Sequence, residues 1–209
     1  GVRSKDMQDG DLQGLAFCGE TFSPRNVSIS IEHGIITGIK DSTAPVSRWI
    51  APAFFNAHTH IADTVAMDTP IAGRPLADLV EAPDGLKHRI LRSTPDVQLI
   101  CAMRDTMQFM HATGTAAFAE FREGGLHGIE LLRSASGPDI RPVIFGRDGG
   151  ERAADGLGLS SAKDTVRDLA AVEEARRLGK RIAIHAGEAG TCDIDDAFAL
   201  DPDFIIHAT

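Results

Sequence analysis

At 209 residues, the chain has the length of one large domain, or of one with a small appendage, enough for a sizeable core. A content of 43% hydrophobic and 24% charged residues excludes global disorder. Acidic residues outnumber basic ones 30 to 21, a net charge of −9, which opposes a broad electrostatic grip on nucleic acid or anionic lipid.

The opening Gly1-Val2-Arg3-Ser4-Lys5-Asp6 lacks the apolar core of a signal peptide. Residues 1–50 then read as a small antiparallel β element. Gly14–Cys18, Val27–Ile31 and Ile35–Ile39 are short apolar runs separated by turn residues, and Val27, Ile29 and Ile31 alternate with Ser28 and Ser30, the period of a half-buried strand. From residue 51 the rhythm changes to apolar runs followed by helical patterns, which predicts βα units and a mainly parallel sheet. Six strands are expected, at Ala53–Ala57, Thr115–Ala119, Pro142–Phe145, Gly156–Leu159, Ile182–Ile184 and Phe204–Ile206. Helices are expected over Asp96–His111, Leu126–Ser134 and Ala162–Leu178, the last closing on Arg176, Arg177 and Gly179, as a helix C-terminus prefers. There is no internal repeat, and no run approaches the roughly 20 apolar residues of a membrane span. Cys18, Cys101 and Cys192 are odd in number and form no CxxC pair, so neither a disulfide framework nor a cysteine zinc site is indicated. A soluble, cytoplasmic chain is the expectation.

Six such strands suit an open doubly wound sheet or a closed (β/α)8 barrel. No glycine-rich phosphate loop follows any of them; histidine stands at the strand ends instead. His58 and His60 close the first barrel-type strand, and residues i and i+2 of a strand share a face, so both imidazoles can converge on one ion. His185 ends the fifth run and opens His185-Ala186-Gly187-Glu188, and His207 ends the sixth. Each taken singly reads as a core histidine satisfied by local hydrogen bonds. Four imidazoles and a carboxylate at one end of one sheet are more simply explained by a divalent metal.

With those residues in place, the sequence resembles the amidohydrolase superfamily, metal-dependent hydrolases on a (β/α)8 TIM barrel carrying a small β-sandwich. The resemblance runs from the β segment (1–50) through the barrel portion (51–209). The run Pro52-Ala53-Phe54-Phe55-Asn56-Ala57-His58-Thr59-His60 is similar to the chlorohydrolase and deaminase branch, and His185-Ala186-Gly187-Glu188 to the fifth-strand motif of adenosine deaminase and its relatives. The resemblance implies that His58, His60 and His185 ligate one metal, that Glu188 shuttles protons, and that His207 orients the attacking nucleophile. Zinc suits three imidazoles best, with iron or manganese as alternatives. It implies a small-molecule substrate, hydrolysis of a non-peptide C–N bond, and most specifically deamination of an amino-substituted heterocycle. Hydrolysis of a cyclic amide or imide, a chlorohydrolase reaction, or an inactive metal-binding half-barrel are the alternatives.

The fourth-strand run Asp155–Ser161 carries no bridging lysine or glutamate; Lys163, two residues beyond it, reads as a solvated helix-start residue, so a mononuclear site is expected. Glu120 and Arg122 alternate at the end of the second strand, where they either touch substrate or pair with each other or with neighbouring charges at the rim. The insert from Ile61 to Ser93, with Pro70, Gly73, Pro75, Pro83 and Gly85, is expected to wall the pocket, its Ile71, Leu76, Leu79 and Val80 facing substrate or packing on the barrel. The family pattern also has eight strands and an Asp after the eighth, whereas this sequence stops after the sixth run. The expectation is an incomplete barrel that associates with its missing portion or with further copies.

Overall fold

The computed structural model describes residues 9–81, 84–162 and 165–208, with only the helical backbone at 165–168. Pro83 and Lys163 lie outside the described residues. The chain divides between Phe54 and Phe55 into two compact units.

In the first unit, β1 (Gly10–Cys18), β2 (Ser23–Glu32), β3 (Ile35–Asp41) and β4 (Trp49–Ile50) form one sheet in the order β3-β2-β1-β4. The first three are antiparallel neighbours and β4 runs parallel to β1. Val27 and Ile29 are buried with Ala16 on one face, as their alternation with serine requires. His33 and Gly34 both take positive φ, 53° and 73°, as a two-residue hairpin turn demands where the strands twist right-handedly. The segment is thus a single four-stranded layer. β4 was not evident in the sequence because two residues cannot display a period.

The second unit holds β5 (Phe54–Thr59), β6 (Thr115–Arg122), β7 (Arg141–Gly146), β8 (Gly156–Leu159), β9 (Arg181–Ala186) and β10 (Phe204–His207) in strictly sequential order. The ladders from β6 to β10 are parallel. Between them run α1 (Leu76–Val80), α2 (Leu86–Ser93), α3 (Asp96–Ala112), α4 (Gly125–Ala135), α5 (Thr165–Arg177) and α6 (Ile194–Ala199). α3 begins after Pro95 with Asp96 in its first turn and stops at Gly114, φ 95°, where only glycine takes that conformation without strain. Its Met103 and Met107 pack with Ile129 and Leu132 of α4 against Phe118 and Ile144 of the sheet. Burying a side chain such as Phe118 completely contributes about 1.5–3 kcal/mol. Val172 and Ala175 of α5 and Ala197 of α6 cover Leu157, Ile182 and Ile184 in the same way.

The opposite face of the sheet turns inward on Ala119, Phe121, Phe145 and Ala183. Six strands at ~4.8 Å spacing would set the first and last ~24 Å apart if flat. Yet the rings of His58 on β5 and His207 on β10 have centroids 5.0 Å apart. The sheet therefore curls until its two outer strands face each other: an α/β barrel wall, nearly closed by six strands. The curl brings Phe121 and Phe145 into a stack at 5.1 Å, and the room for it comes from β8. A Cβ on Gly156 would lie 2.6 Å from Phe145 Cε1 and 2.8 Å from the Arg181 carbonyl oxygen. Gly156→Ala is accordingly expected to cost about 1–3 kcal/mol through overpacking. A urea melt reads this directly, and an unchanged midpoint would refute the packing.

The insert between β5 and α3 is not one loop. It contains a 3-10 turn at Ile61–Ala66 and the helices α1 and α2, elements too short and too interrupted by proline and glycine to show a helical period.

Candidate metal centre

Histidine stands at or within one residue of the C-terminal end of β5, β9 and β10, and strand parity decides what meets. His58 near the end of β5 and His60 just past it turn to the inner face and Thr59 to the outer one, where its hydroxyl reaches the Ala119 carbonyl and Glu120 Oε2, each at 2.8 Å. His58 Nε2 lies 3.1 Å and His60 Nε2 3.3 Å from His185 Nε2. His207 completes the cluster: ligand nitrogens of His58, His185 and His207 all lie within 4.8 Å of one another. Phe121 forms its floor, edge-on to His58 at 5.2 Å and to His185 at 4.8 Å.

Hydrogen bonding among the rings does not account for this convergence. His185 Nδ1 is 2.8 Å from the Leu159 carbonyl oxygen, which can only accept, so Nδ1 carries the proton and Nε2 presents a bare lone pair. One lone pair accepts one good hydrogen bond, but two imidazole nitrogens press on it. Burial pushes His185 down to about 3 and His58 down to about 4, with the neighbouring rings adding to the shift. Both are neutral near pH 7, the form that ligates. Two nitrogens at ~2.0–2.1 Å on a tetrahedral zinc stand ~3.3–3.4 Å apart, close to the 3.1 and 3.3 Å seen here. The cluster fits a divalent cation.

His207 sits at φ 77° and Ala208 at φ 55°, left-handed conformations costing of order 1–3 kcal/mol that tend to mark functional positions. Its Nε2 is 3.7 Å from Glu188 Oε2. Glu188 follows the turn at Gly187, φ 77°, whose N–H donates to Asp193 Oδ1 at 3.0 Å. Glu188 and His185 line a cleft of about 1300 Å³, together with Arg122, Glu123, Leu76 and Val80. Of the insert's apolar residues, Leu76 and Val80 thus reach the cleft wall.

Glu120 and Arg122 do not form an exposed rim. Glu120 is fully buried and Arg122 is 5% exposed. Glu120 accepts from the Ile61 N–H at 2.9 Å, from the Thr59 hydroxyl and from Arg122 Nη1 at 3.1 Å. Burial pushes its carboxyl up to about 7, against the lowering effect of Arg122 and these hydrogen bonds. Of the pair, only Arg122 reaches the cleft wall.

Glu123, which the sequence reading passed over, is the centre of the charge network. Its carboxylate meets Arg147 at 2.6 Å, Lys87 at 2.7 Å, Arg122 at 3.0 Å and His60 Nδ1 at 3.1 Å. The last approach is close but bent, an ion-pair distance without good hydrogen-bond alignment. Burial pushes Glu123 up, but His60 and the three cations outweigh it and hold the carboxyl well below the usual range. Lys87 also binds Asp63, at 2.9 Å. The run Glu120-Phe121-Arg122-Glu123, three charges at the end of an apolar strand, was the signal available for this network.

No protein-family model matches the chain. It is 37% identical to a protein named "Putative aminohydrolase" from Methanothermobacter thermautotrophicus, over 84% of this chain and 53% of that protein. It is 38% identical to another of that name from Archaeoglobus fulgidus, over 76% of this chain and 48% of that protein. The chain therefore spans about half the length of the curated relatives it matches. Among solved structures it is similar to 5-methylcytosine deaminase from Klebsiella pneumoniae, with TM-score 0.65 and 15% identity, over 90% of this chain and 54% of that one. It is also similar to an atrazine chlorohydrolase from Arthrobacter aurescens complexed with zinc and atraton, with TM-score 0.52 and 14% identity, over 83% of this chain and 52% of that one. At such identities the likeness is one of fold. The chain is a homologue of the two archaeal proteins so named, and it shares its fold with part of the 5-methylcytosine deaminase and atrazine chlorohydrolase structures.

Proposed function

We propose that this chain carries the metal-holding portion of a hydrolase acting on non-peptide C–N bonds, and that the reaction is deamination of an amino-substituted heterocycle. The observation that carries the reading is the bare Nε2 of His185 with two further imidazole nitrogens at 3.1 and 3.3 Å. His58, His60 and His185 would hold the ion, zinc being the best match to neutral imidazoles. His207 lies beside them, as a further ligand or as the group that orients the nucleophile. When bound, such an ion acidifies water so that a nucleophile is available near neutral pH. Glu188, on the cleft wall and 3.7 Å from His207, takes up the proton released at attack and returns it to the departing amine. The substrate is a small molecule, and the Leu76 and Val80 side of the cleft offers apolar surface to a flat ring.

The test is metal content by plasma mass spectrometry, with ammonia release from a panel of aminopurines, aminopyrimidines and aminotriazines. About one zinc per chain is expected. Glu188→Gln should keep the metal and lose turnover by about 10²–10⁴-fold, the range of general acid–base catalysis. Full turnover in Glu188→Gln, or a well-folded chain that takes up no metal, would overturn the reading. Chloride release from chloro-substituted triazines added to the panel, with no ammonia from the amino compounds, would move the assignment to a chlorohydrolase.

A further inference from the structure

Inside the barrel wall, the first and second strands are joined by a buried charge network that encloses His60 from three directions. Glu120 Oε2 accepts from the Ile61 N–H at 2.9 Å and the Thr59 hydroxyl at 2.8 Å, the residues on either side of His60. Glu123 Oε1 lies 3.1 Å from the ring nitrogen of His60 that faces away from the cluster. Arg122 bridges the two carboxylates, Nη1 to Glu120 and Nη2 to Glu123, and Lys87 and Arg147 anchor Glu123 from α2 and from the end of β7. Three acids (Glu120, Glu123, Asp63) and three bases (Arg122, Lys87, Arg147) make up the network.

We propose that Glu120 and Glu123, bridged by Arg122, are positioning residues for His60. Glu120 holds the Ile61 backbone N–H and the Thr59 side chain on either side of His60, and the Glu123 carboxylate, 3.1 Å from Nδ1, favours the proton on that nitrogen, which leaves Nε2 bare and aimed at His185. This gives Glu120 a role other than substrate contact, consistent with its complete burial on the outer face of the wall. A ring held through its far nitrogen loses less orientational freedom when its near nitrogen ligates, and carboxylates behind ligating histidines typically act in this way. Parity puts them there: Thr59 and Glu120 both point outward from adjacent strands while His58, His60 and Phe121 point inward.

The inference rests on the metal-site reading above, and the test separates the two. Zinc affinity is measured by chelator competition on the whole chain for the wild type, Glu123→Asp, Thr59→Val and His185→Ala, with thermal melts alongside. Glu123→Asp keeps the charge but withdraws the carboxylate from the ring; Thr59→Val removes a hydroxyl at nearly constant volume. Each is expected to weaken zinc binding by about 10–100-fold while melting cooperatively. In the metal-free wild type, nitrogen-15 spectra should show His60 in the Nδ1–H tautomer, a signature that a merely structural network would not impose. Zinc bound within about twofold of wild type by both variants, or an Nε2–H tautomer at His60, overturns the positioning role even if His185→Ala abolishes binding. A wild-type chain that binds no zinc, or binds it equally well after His185→Ala, overturns the metal-site reading and the positioning role with it.

Discussion

His185→Ala is expected to lower zinc affinity by roughly 10²–10³-fold, because about 10–16 kcal/mol of binding shared over four ligand positions is ~2.5–4 kcal/mol for each. This position should be the most damaging of the four histidines. It is the nitrogen on which His58 and His60 converge, and its own tautomer is locked by the Leu159 carbonyl. The same burial gives the metal-free chain a definite pH dependence. With His185 held near 3 and His58 near 4 against an ordinary 6.5, the unfolded chain binds protons that the folded rings refuse. The contribution of these two rings to stability is therefore complete above about pH 6.5 and is lost as the pH falls toward 3. Melting temperatures at pH 7 and pH 4.5 should show the loss in the wild type and a shallower slope in His185→Ala. Equal slopes would contradict the assignment of neutral buried rings.

Glu123→Ala is expected to destabilise the fold by about 3–5 kcal/mol, the range for removing one partner of a buried ion pair. Lys87 keeps Asp63 and Arg122 keeps Glu120, but Arg147 loses its carboxylate partner while remaining largely shielded from water. Equilibrium urea unfolding measures the difference. The natural comparison is Glu174→Ala, whose carboxylate bridges Arg152 and Arg177 at the surface. That pair is solvated and screened, and its loss should leave the midpoint unmoved. If both substitutions behaved alike, the burial of the Glu123 network would be disproved.

The contrast shows which parts of the architecture could be read from residue order. The six barrel strands were legible because strands covered on both faces read as unbroken apolar runs, and Gly156–Leu159 emerges with the bounds its four apolar or glycine residues suggest. The helix at Asp96 was legible from its long period and its glycine stop. The meeting of His58, His60, His185 and His207 was legible as well, because strand parity and a common sheet end suffice to bring them together. Glu120 illustrates what was not. Its spacing from Arg122 was visible, but whether that face looks to the cleft or to the helices depends on the parity of Phe121, which is settled only when Phe121 stacks on Phe145. Glu123 was less accessible still, since its partners come from β5, α2 and the end of β7 and no local pattern joins them. Charged residues at a strand end resemble a solvated rim until α2 folds over them.

The strictly sequential strand order of the second unit has a further consequence for how the protein is made. Each strand pairs with the one synthesised just before it, so the wall can assemble as the chain leaves the ribosome, with little waiting between additions. The histidine cluster obeys a different clock. His58 and His185 are separated by 127 positions, roughly 6–25 s of translation at about 5–20 residues per second. During that interval the nascent wall carries only two of the four clustered imidazoles, His58 and His60, so an ion that needs His185 can be held only after β9 has joined the sheet.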